Sequence, residues 1–157
     1  MNAQLKPQLT VQRERYSEAL CAELLPLLED NWVRTESYIG ELKIDPDFGK
    51  YQKLDAMDLV TCVTARLGGV LVGYSIFFTN FSLHHKTVKT GHGDMIYVKN
   101  EPGLGRAVFL LLNESERILK EKGVIYMGWF VHKGSRIQRI LESRGYVPDE
   151  LVMEKKL

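Results

Sequence analysis

The sequence predicts an α/β fold in which one mixed sheet carries helices on both faces. Two apolar runs, 59–67 and 70–78, are joined by the pair Gly68-Gly69, which is typical of a β-hairpin. A third apolar run, ending at Val98, leads through a Gly-Leu-Gly turn into a long amphipathic segment. Because the run VIYMGWF (124–130) follows that segment, strands and helices alternate in the second half of the chain.

The N-terminal part of the chain is predicted to be helical. Residues 15–30 place leucines on one face of a helix, and Pro26 is expected to kink or end that helix. A second short helix is predicted to run through Trp32, Ile39 and Leu42. The stretch IDPDFG that follows is typical of a turn, and it leads into the hairpin.

The second half of the chain is predicted to contain two helices and a closing strand. After a polar loop at 79–91 and the strand that ends at Val98, a long helix begins near Gly103 and stops before Gly123. Ser135 is placed to cap the next helix, SRIQRILESR, which ends at the glycine that follows. The closing segment VPDELVMEKKL is predicted to form one last strand.

Length and composition indicate a single domain, 1–157, that includes the N-terminal helices (15–42). The net charge of +1 gives no reason to expect nucleic acid or an anionic membrane as a partner. Cys21 and Cys62 lie far apart and lack metal-ligand spacing, so no metal is expected. Since the sequence has no apolar run of membrane-spanning length and no signal-peptide core, we expect a cytoplasmic protein.

The Gly-Leu-Gly turn is the feature of the sequence that bears most on function. Backbone N–H groups at a helix N-terminus lack intrahelical partners and carry partial positive charge, so such a turn is suited to bind phosphate. The motif is not a dinucleotide-binding fingerprint, because Val108 stands where the third glycine belongs, and it lacks the Gly-Lys-Ser/Thr of a P-loop. A helix start without any ligand is the alternative.

Three parts of the sequence together resemble the GNAT superfamily of acetyl-CoA-dependent N-acetyltransferases. They are the strand–GLG–helix unit at 94–122, the closing segment ILESRGYVPDELVMEKKL, and the series IDPDFGKY, VGYSIFFTNFSLHH and GDMIYV. The last series is similar to a branch of the superfamily that is common in bacteriophage genomes and prophages. The resemblance implies the GNAT (acyl-CoA N-acyltransferase) fold, with a mixed, mostly antiparallel sheet and helices on both faces.

The resemblance also implies that acetyl-CoA is the acetyl donor and that the turn binds its pyrophosphate. The backbone amides expected to do so are those of Gly103, Leu104, Gly105, Arg106 and Ala107. The Arg106 side chain would add a charged contact. Tyr97 and Val98 are expected to contact the pantetheine arm, and Ser135 is expected to contact the cofactor as well. Asn100 departs from the arginine or glutamine that is usual in the family, and the loop before the turn is short.

Acyl transfer to an amine needs a base, and the departing thiolate needs stabilisation. Asp94, at the start of the central strand, is the expected base, and a strand-end carboxylate paired with a lysine is the alternative. His92 lies on the same strand face and would relay a proton, or it is an exposed loop residue. Leu141 stands where many members of the superfamily carry the tyrosine that protonates the thiolate. Tyr126 is the candidate substitute, with Tyr97, Tyr146 and a water molecule as the alternatives.

The acceptor is expected to be the primary amine of a small molecule, a peptide or a protein. His84 and His85 lie in the loop before the central strand, where similar phage sequences carry histidines. These two residues and His92 are the candidate acceptor contacts, and solvated loop histidines are the alternative. Homodimers are common in the superfamily. The competing hypothesis is a GNAT-shaped binding protein with weak or no catalysis, encoded by a phage and acting on a target in the host cytoplasm.

Overall fold

A computed structural model describes residues 6–35 and 42–155, which form one five-stranded sheet and four helices. The strands are Leu9–Glu14 (β1), Val60–Leu67 (β2), Val70–Phe81 (β3), Lys89–Val98 (β4) and Val124–Trp129 (β5). The helices are Glu18–Thr35 (α1), Phe48–Ala56 (α2), Ala107–Glu121 (α3) and Arg136–Ser143 (α4). The strands keep the order β1-β2-β3-β4-β5, and all neighbours are antiparallel except β4 and β5. None of these helices is long and apolar enough to cross a membrane.

The sheet separates two apolar cores. On one face, Tyr74 and Ile76 of β3 pack with the buried leucines of α1 and with Tyr51 of α2. On the other face, Phe77 packs with Leu111 and other buried residues of α3. Side chains alternate between the faces along each strand, so β3 contributes to both cores. The predicted α/β fold, with a mixed, mostly antiparallel sheet and helices on both faces, is therefore confirmed.

Local signals in the sequence locate the turns and helix ends correctly. Gly68 and Gly69 have φ values of 57° and 86°, and this left-handed pair closes the hairpin between β2 and β3. Gly123, with a φ of 74°, follows the end of α3. Ser135 is the N-cap of α4, as predicted, and α3 begins at Ala107, a turn later than its predicted start.

Two elements of the structure are absent from the sequence-based prediction. β1 is an edge strand that pairs with β2, with Leu9 opposite Leu67. α2 follows directly after Asp47, whose side chain accepts a hydrogen bond from the Lys50 amide at 2.9 Å. The stretch that was predicted to be only a turn therefore also contains a helix cap. Both elements are short, and both depend on contacts with residues far along the chain.

Pro26 lies inside α1 and does not end it, so of the two predicted effects, a kink or an end, the second is wrong. The helix continues to Thr35 and so includes Trp32, which the sequence assigns to a second helix. Leucines on both sides of the proline, such as Leu24 and Leu28, are buried in the core. A proline inside a helix costs about 3 kcal/mol, whereas burying a leucine side chain contributes roughly 1.5–3 kcal/mol, so the packing of several leucines offsets the proline.

The strand predicted in the closing segment does not form in the part of that segment that the structure describes. Residues 146–155 form no strand, and Val147, Leu151 and Met153 are exposed, so β5 is the edge strand of the sheet within the described residues. A strand needs a neighbouring strand with which to form ladder hydrogen bonds, and this segment has no such partner among the described residues. Of the predicted second N-terminal helix, Ile39 lies outside the described residues, and Leu42 is not helical.

β4 and β5 pair along only the first half of β4. Their parallel ladder ends where Gly93 lies opposite Trp129, and the Phe130 amide donates a further hydrogen bond to the Gly93 carbonyl at 3.3 Å. Beyond this point β4 continues to Val98 paired with β3 on one side. The two strands therefore part within the sheet and leave a gap between them.

The Trp129 indole lies directly on the backbone of Gly93. A Cβ atom added at Gly93 would stand 2.0 Å from Cε3 of Trp129 and 2.2 Å from its Cδ2. No other residue type can therefore occupy this position while the indole keeps its place. The contact fixes the side chain of Trp129 at the point where the two strands part.

Replacing Gly93 by alanine is expected to destabilise the protein by about 1–3 kcal/mol, because the new methyl group must displace the Trp129 indole. Urea unfolding, followed by tryptophan fluorescence, measures the loss. Gly105→Ala is the matched control, since a Cβ atom there meets nothing within 4 Å. Equal unfolding midpoints and native-like emission for both variants would contradict the packing described here.

Candidate functional site

The gap between β4 and β5 opens into a cavity of about 310 Å³. The end of β4 forms one side, and the starts of α3 and α4 form the others. Tyr97 and Gly105 contribute to its lining, and its aliphatic side chains are those of Ile96, Val98, Leu104, Val108, Ile137 and Ile140. Its polar lining comprises Lys99, Asn100, Glu101 and Arg136. A concave site that combines apolar side chains with a few polar groups is typical of small-ligand binding.

The turn before α3 uses some of its amides internally and leaves others free. The Leu104 amide donates to the Glu101 carbonyl at 3.3 Å, and the Ala107 amide donates to the Leu104 carbonyl at 2.9 Å. These two amides, which the resemblance assigns to the pyrophosphate, are therefore already satisfied. The amides without an acceptor in the described part of the chain are those of Gly103, Gly105 and Arg106 in the turn and of Val108 and Phe109 at the start of α3.

Two arginines stand at the N-termini of the helices that flank the cavity. Arg106 precedes α3 and makes no side-chain cap, and Arg136 is the first residue of α4. A cation at a helix N-terminus is disfavoured by the helix dipole by roughly 0.3–1 kcal/mol. An anion bound between the helix N-terminus and the arginine would remove this unfavourable interaction at both positions. Arg136 is not among the residues predicted from the sequence, although its place directly after the helix cap Ser135 is a signal that points to it.

The backbone groups of Ile96 and Val98 face the gap. The Lys99 amide donates to the Val72 carbonyl of β3 at 2.9 Å, and hydrogen-bonding direction alternates along a strand. Tyr97 therefore directs its backbone groups to β3 as well, while its two neighbours direct theirs away from β3. The contact between Val98 and the pantetheine arm that the resemblance implies fits this geometry. The backbone of Tyr97 is turned away from the gap, so Ile96 is the second residue that could make such a contact.

The Tyr97 side chain lies on the α1 face of the sheet. Its hydroxyl donates to the Asp30 carboxylate, and its ring stacks on Tyr74 with the centroids 5.6 Å apart. Burial, together with the hydrogen bond to the negative Asp30, raises the pKa of Tyr97 to about 12. The hydroxyl therefore stays protonated at neutral pH and is already engaged in the core.

Asp94 is the extra residue of a β-bulge in β4. Ile76 lies opposite Met95 and Phe77 lies opposite Gly93, which leaves Asp94 without a partner residue on β3. A bulge bends the strand and changes the direction of a side chain, and bulges are common beside active sites. Here the bulge follows directly on the residue at which β4 and β5 part, so the Asp94 carboxyl lies next to the gap.

The Asp94 carboxyl is exposed, and no residue in the described ranges forms a hydrogen bond or ion pair with it. The protein around the carboxyl still removes part of its hydration and raises its pKa above the usual range. Tyr51 of α2 lies close by: burial, with a contribution from the negative charge of Asp94, raises the pKa of Tyr51 to about 12. A carboxylate with a raised pKa is a better proton acceptor near neutral pH.

The three candidate histidines occupy different places. His92 is exposed beside the bulge, and its ring stacks on Phe130 with the centroids 6.2 Å apart. His84 and His85 lie exposed in the loop that leads into β4, at the end of the strand opposite to the one that leads to α3. The structure therefore brings His92 to the gap but leaves the other two apart from the cavity. No group of three His, Cys, Asp or Glu side chains in residues 6–35 and 42–155 could hold a metal ion.

The remaining candidates do not supply an acid at the cavity. Tyr126 pairs with Thr90 in the closed half of the ladder between β4 and β5, is exposed, and does not line the cavity. Its assignment as the substitute acid has no support from this geometry. The Ser135 hydroxyl accepts a hydrogen bond from the Gln138 amide at 3.2 Å and thereby caps α4. Leu141, at the usual tyrosine position, is buried.

Solved structures share this architecture. A ribosomal-protein-alanine N-acetyltransferase from Brucella melitensis biovar Abortus 2308 superposes with a TM-score of 0.68 at 16% identity, over 96% of this chain and 99% of that chain. An aminoglycoside acetyltransferase from an uncultured soil metagenomic sample gives 0.73 at 16% identity, over 95% of each chain. Another from such a sample gives 0.75 at 15% identity, over 96% of this chain and 98% of that chain.

Comparisons of sequence alone give a different result. No family model matches the chain, and no curated protein matches it either. At identities below 20%, the likeness to the solved structures rests on the course of the backbone, and it covers nearly the whole chain. The structure and these neighbours together show that the chain has the GNAT acetyltransferase fold.

Proposed function

We propose that this protein is an acetyl-CoA-dependent N-acetyltransferase that acts on a primary amine. The observation that carries the proposal is the parting of β4 from β5 beyond Gly93. It creates a cavity that extends from the turn before α3 back along β4 to Ile96, two residues from the bulge at Asp94. An anion-binding end and a carboxylate thus lie at opposite ends of one gap, as a donor with phosphates and an amine acceptor require.

The α3 end of the cavity is suited to the phosphates of acetyl-CoA. The free amides of the turn and the guanidinium groups of Arg106 and Arg136 can donate hydrogen bonds to phosphate oxygens. Ile96 and Val98 direct backbone groups into the gap and can pair with the amides of the pantetheine arm like an added strand. When bound, acetyl-CoA supplies an activated thioester. The Val98 amide is suited to polarise a carbonyl placed there.

Asp94 accepts the proton that the amine loses. An alkylammonium has a pKa of about 10.4, so only about one molecule in 10³ is neutral at pH 7. A positioned base accelerates such a reaction by about 10²–10⁴-fold. Asp94 suits this role because it lies beside the gap and has no cation partner among the described residues. Its raised pKa brings it closer to neutral pH.

The leaving thiolate takes its proton from solvent. The tyrosine usual in the superfamily is replaced by the buried Leu141. The Tyr97 hydroxyl is bound to Asp30, and the Tyr146 hydroxyl lies 3.1 Å from the Glu116 carboxylate. Neither tyrosine is therefore free to act as the acid.

A second candidate function is a GNAT-shaped binding protein with little or no catalysis. The observation that favours it is the buried Leu141, which leaves the cavity without the usual acid. The sequence-based expectations of a small-molecule, peptide or protein acceptor, a possible homodimer, a phage or prophage origin and a cytoplasmic location stay predictions. The two experiments that follow distinguish the enzyme from the binding protein.

Acetyl-CoA is expected to raise the melting temperature of the wild-type protein. The Arg136→Ala variant is expected to bind acetyl-CoA about tenfold more weakly, because one charge-assisted hydrogen bond to phosphate is lost. Isothermal titration calorimetry measures the affinity. Arg139→Ala is the control, since this arginine lies on the same helix outside the cavity lining. If acetyl-CoA at about 1 mM does not stabilise the wild-type protein, the proposed activity is wrong.

Asp94→Asn is expected to lower kcat by about 10²–10³-fold and to leave the affinity for acetyl-CoA unchanged, because an amide cannot accept the proton. The wild-type rate should fall as pH drops through the pKa of Asp94. Since that pKa is raised, the fall should begin at a higher pH than an ordinary aspartate would give. Thiol release, recorded against pH, measures both effects.

The same experiment also contains its control. Asp45→Asn changes another exposed aspartate and should leave the rate and its pH dependence as they are in the wild-type protein. If Asp94→Asn retains the wild-type kcat and the same pH profile, Asp94 is not the base. If the wild-type protein binds acetyl-CoA but releases no thiol with any amine, the binding protein is the better description.

A further inference from the structure

We propose that the acceptor is an ammonium group on an apolar stem, bound between Asp94 and a row of aromatic rings on the α2 face of the sheet. That the bound amine is acetylated rests on the proposed function. That the amine binds here rests on the aromatic rings and the Asp94 carboxylate. The aromatic row consists of Phe48, Tyr51, Phe78, His92 and Phe130.

The aromatic row crosses the sheet from α2 to the end of β5. The ring centroids of Tyr51 lie 6.4 Å from those of Phe48 and of Phe78. Phe78 lies opposite His92 in the pairing of β3 with β4, so the two side chains share a face. The His92 ring then stacks on Phe130 at 6.2 Å, with 16° between the ring planes. Phe130 is 61% exposed, so the row is open to solvent at this end.

Asp94 places one negative charge beside the aromatic row. Asp94, the extra residue of the bulge, follows His92 by two residues and precedes Met95, which packs into the core beneath α1 and α2. The Asp94 side chain is exposed, as is that of His92 in the aromatic row, and its negative charge contributes to the raised pKa of Tyr51. The row and the carboxylate therefore form one surface at the gap.

The lack of a cation beside Asp94 sets it apart from three other aspartates of the protein. Each of those has a basic side chain at short distance, whereas no described residue forms an ion pair with Asp94. The pairs are Asp55 with Arg15 (2.7 Å), Asp30 with Arg34 (2.9 Å) and Asp58 with Lys122 (2.9 Å). A partly dehydrated carboxylate without a counter-ion gains most from a cationic ligand.

The aromatic rings select what carries that cation. The faces of aromatic rings attract an ammonium group through their quadrupole, and they bury an apolar stem. The row offers few hydrogen-bonding groups, chiefly the Tyr51 hydroxyl and the His92 ring. An amine with many hydroxyl groups would lose water there without regaining hydrogen bonds. We therefore expect alkyl and arylalkyl amines, including lysine side chains, rather than aminoglycosides.

Direct binding of an amine tests the site without acetyl-CoA. Titration of 2-phenylethylamine hydrochloride into the protein at about pH 7, where this amine is an ammonium ion, is expected to show binding. The neutral 2-phenylethanol has the same stem and should bind at least about tenfold more weakly, because it has no charge to offer Asp94. Equal binding of the amine and the alcohol would overturn the role given to the carboxylate.

Phe130→Ala tests the aromatic row. It should raise the dissociation constant for 2-phenylethylamine, and its KM in acetyl transfer, by about fivefold, with kcat and the affinity for acetyl-CoA less affected. Phe81→Ala is the matched control: Phe81 is 60% exposed, close to the 61% of Phe130, and lies at the far end of β3. An unchanged dissociation constant for Phe130→Ala would overturn the inference.

A comparison of two amines separates this inference from the proposed function. Sisomicin, the ligand of one similar aminoglycoside acetyltransferase, is the second amine. If the protein acetylates sisomicin but neither binds nor acetylates 2-phenylethylamine, the inference is wrong and the proposed N-acetyltransferase activity stands. Binding of 2-phenylethylamine that is lost in Phe130→Ala, without any acetyl transfer, would support the site and overturn the enzyme. Acetylation of 2-phenylethylamine in preference to sisomicin supports both.

Discussion

The contact between Trp129 and Gly93 is the constraint on which the site depends. β4 and β5 are hydrogen-bonded up to this pair and then part, and only a residue without a Cβ atom leaves room for the indole. Beyond the pair, Ile96 and Val98 direct backbone groups into a gap instead of a partner strand. Unpaired backbone groups inside a protein must find another partner, either water or a ligand. The strand that ends early therefore creates both the cavity and the hydrogen-bonding groups that line it.

One strand, β4, serves two different chemistries because its side chains alternate between the faces of the sheet. On the face covered by α3, the cavity ends among free amides and positive charges, including Arg136. On the opposite face lies the aromatic row, and the bulge places Asp94 two residues from His92 of that row. The positive and negative groups are thus separated along and across one strand. An anionic donor and a cationic acceptor would each meet the opposite charge, and the gap is where they could meet each other.

The sequence predicts those parts of the fold that depend on local chemistry. The hairpin at Gly68-Gly69, the Gly-Leu-Gly turn before α3 and the cap at Ser135 are specified by a few neighbouring residues. β1 exists only through its pairing with residues about fifty positions away, such as Glu14 with Cys62, so no local pattern reveals it. The arrangement of the site is likewise hidden from local sequence patterns. Asp94 and Tyr126 are both plausible from residue type, but only the strand register shows that the first lies at the gap and that the second lies in the closed half of the ladder.

The buried Leu141 matters less than its position suggests, because the two proton transfers of the reaction are unequal. An alkylammonium has a pKa of about 10.4 and must lose a proton before its nitrogen can attack, whereas a thiol has a pKa of about 8.5 and leaves readily as a thiolate. The demanding step is therefore the removal of the first proton. The site provides a carboxylate for that step, Asp94, with a raised pKa and no cation beside it among the described residues. It leaves the easier protonation to water, so the loss of the usual tyrosine does not by itself remove the means of catalysis.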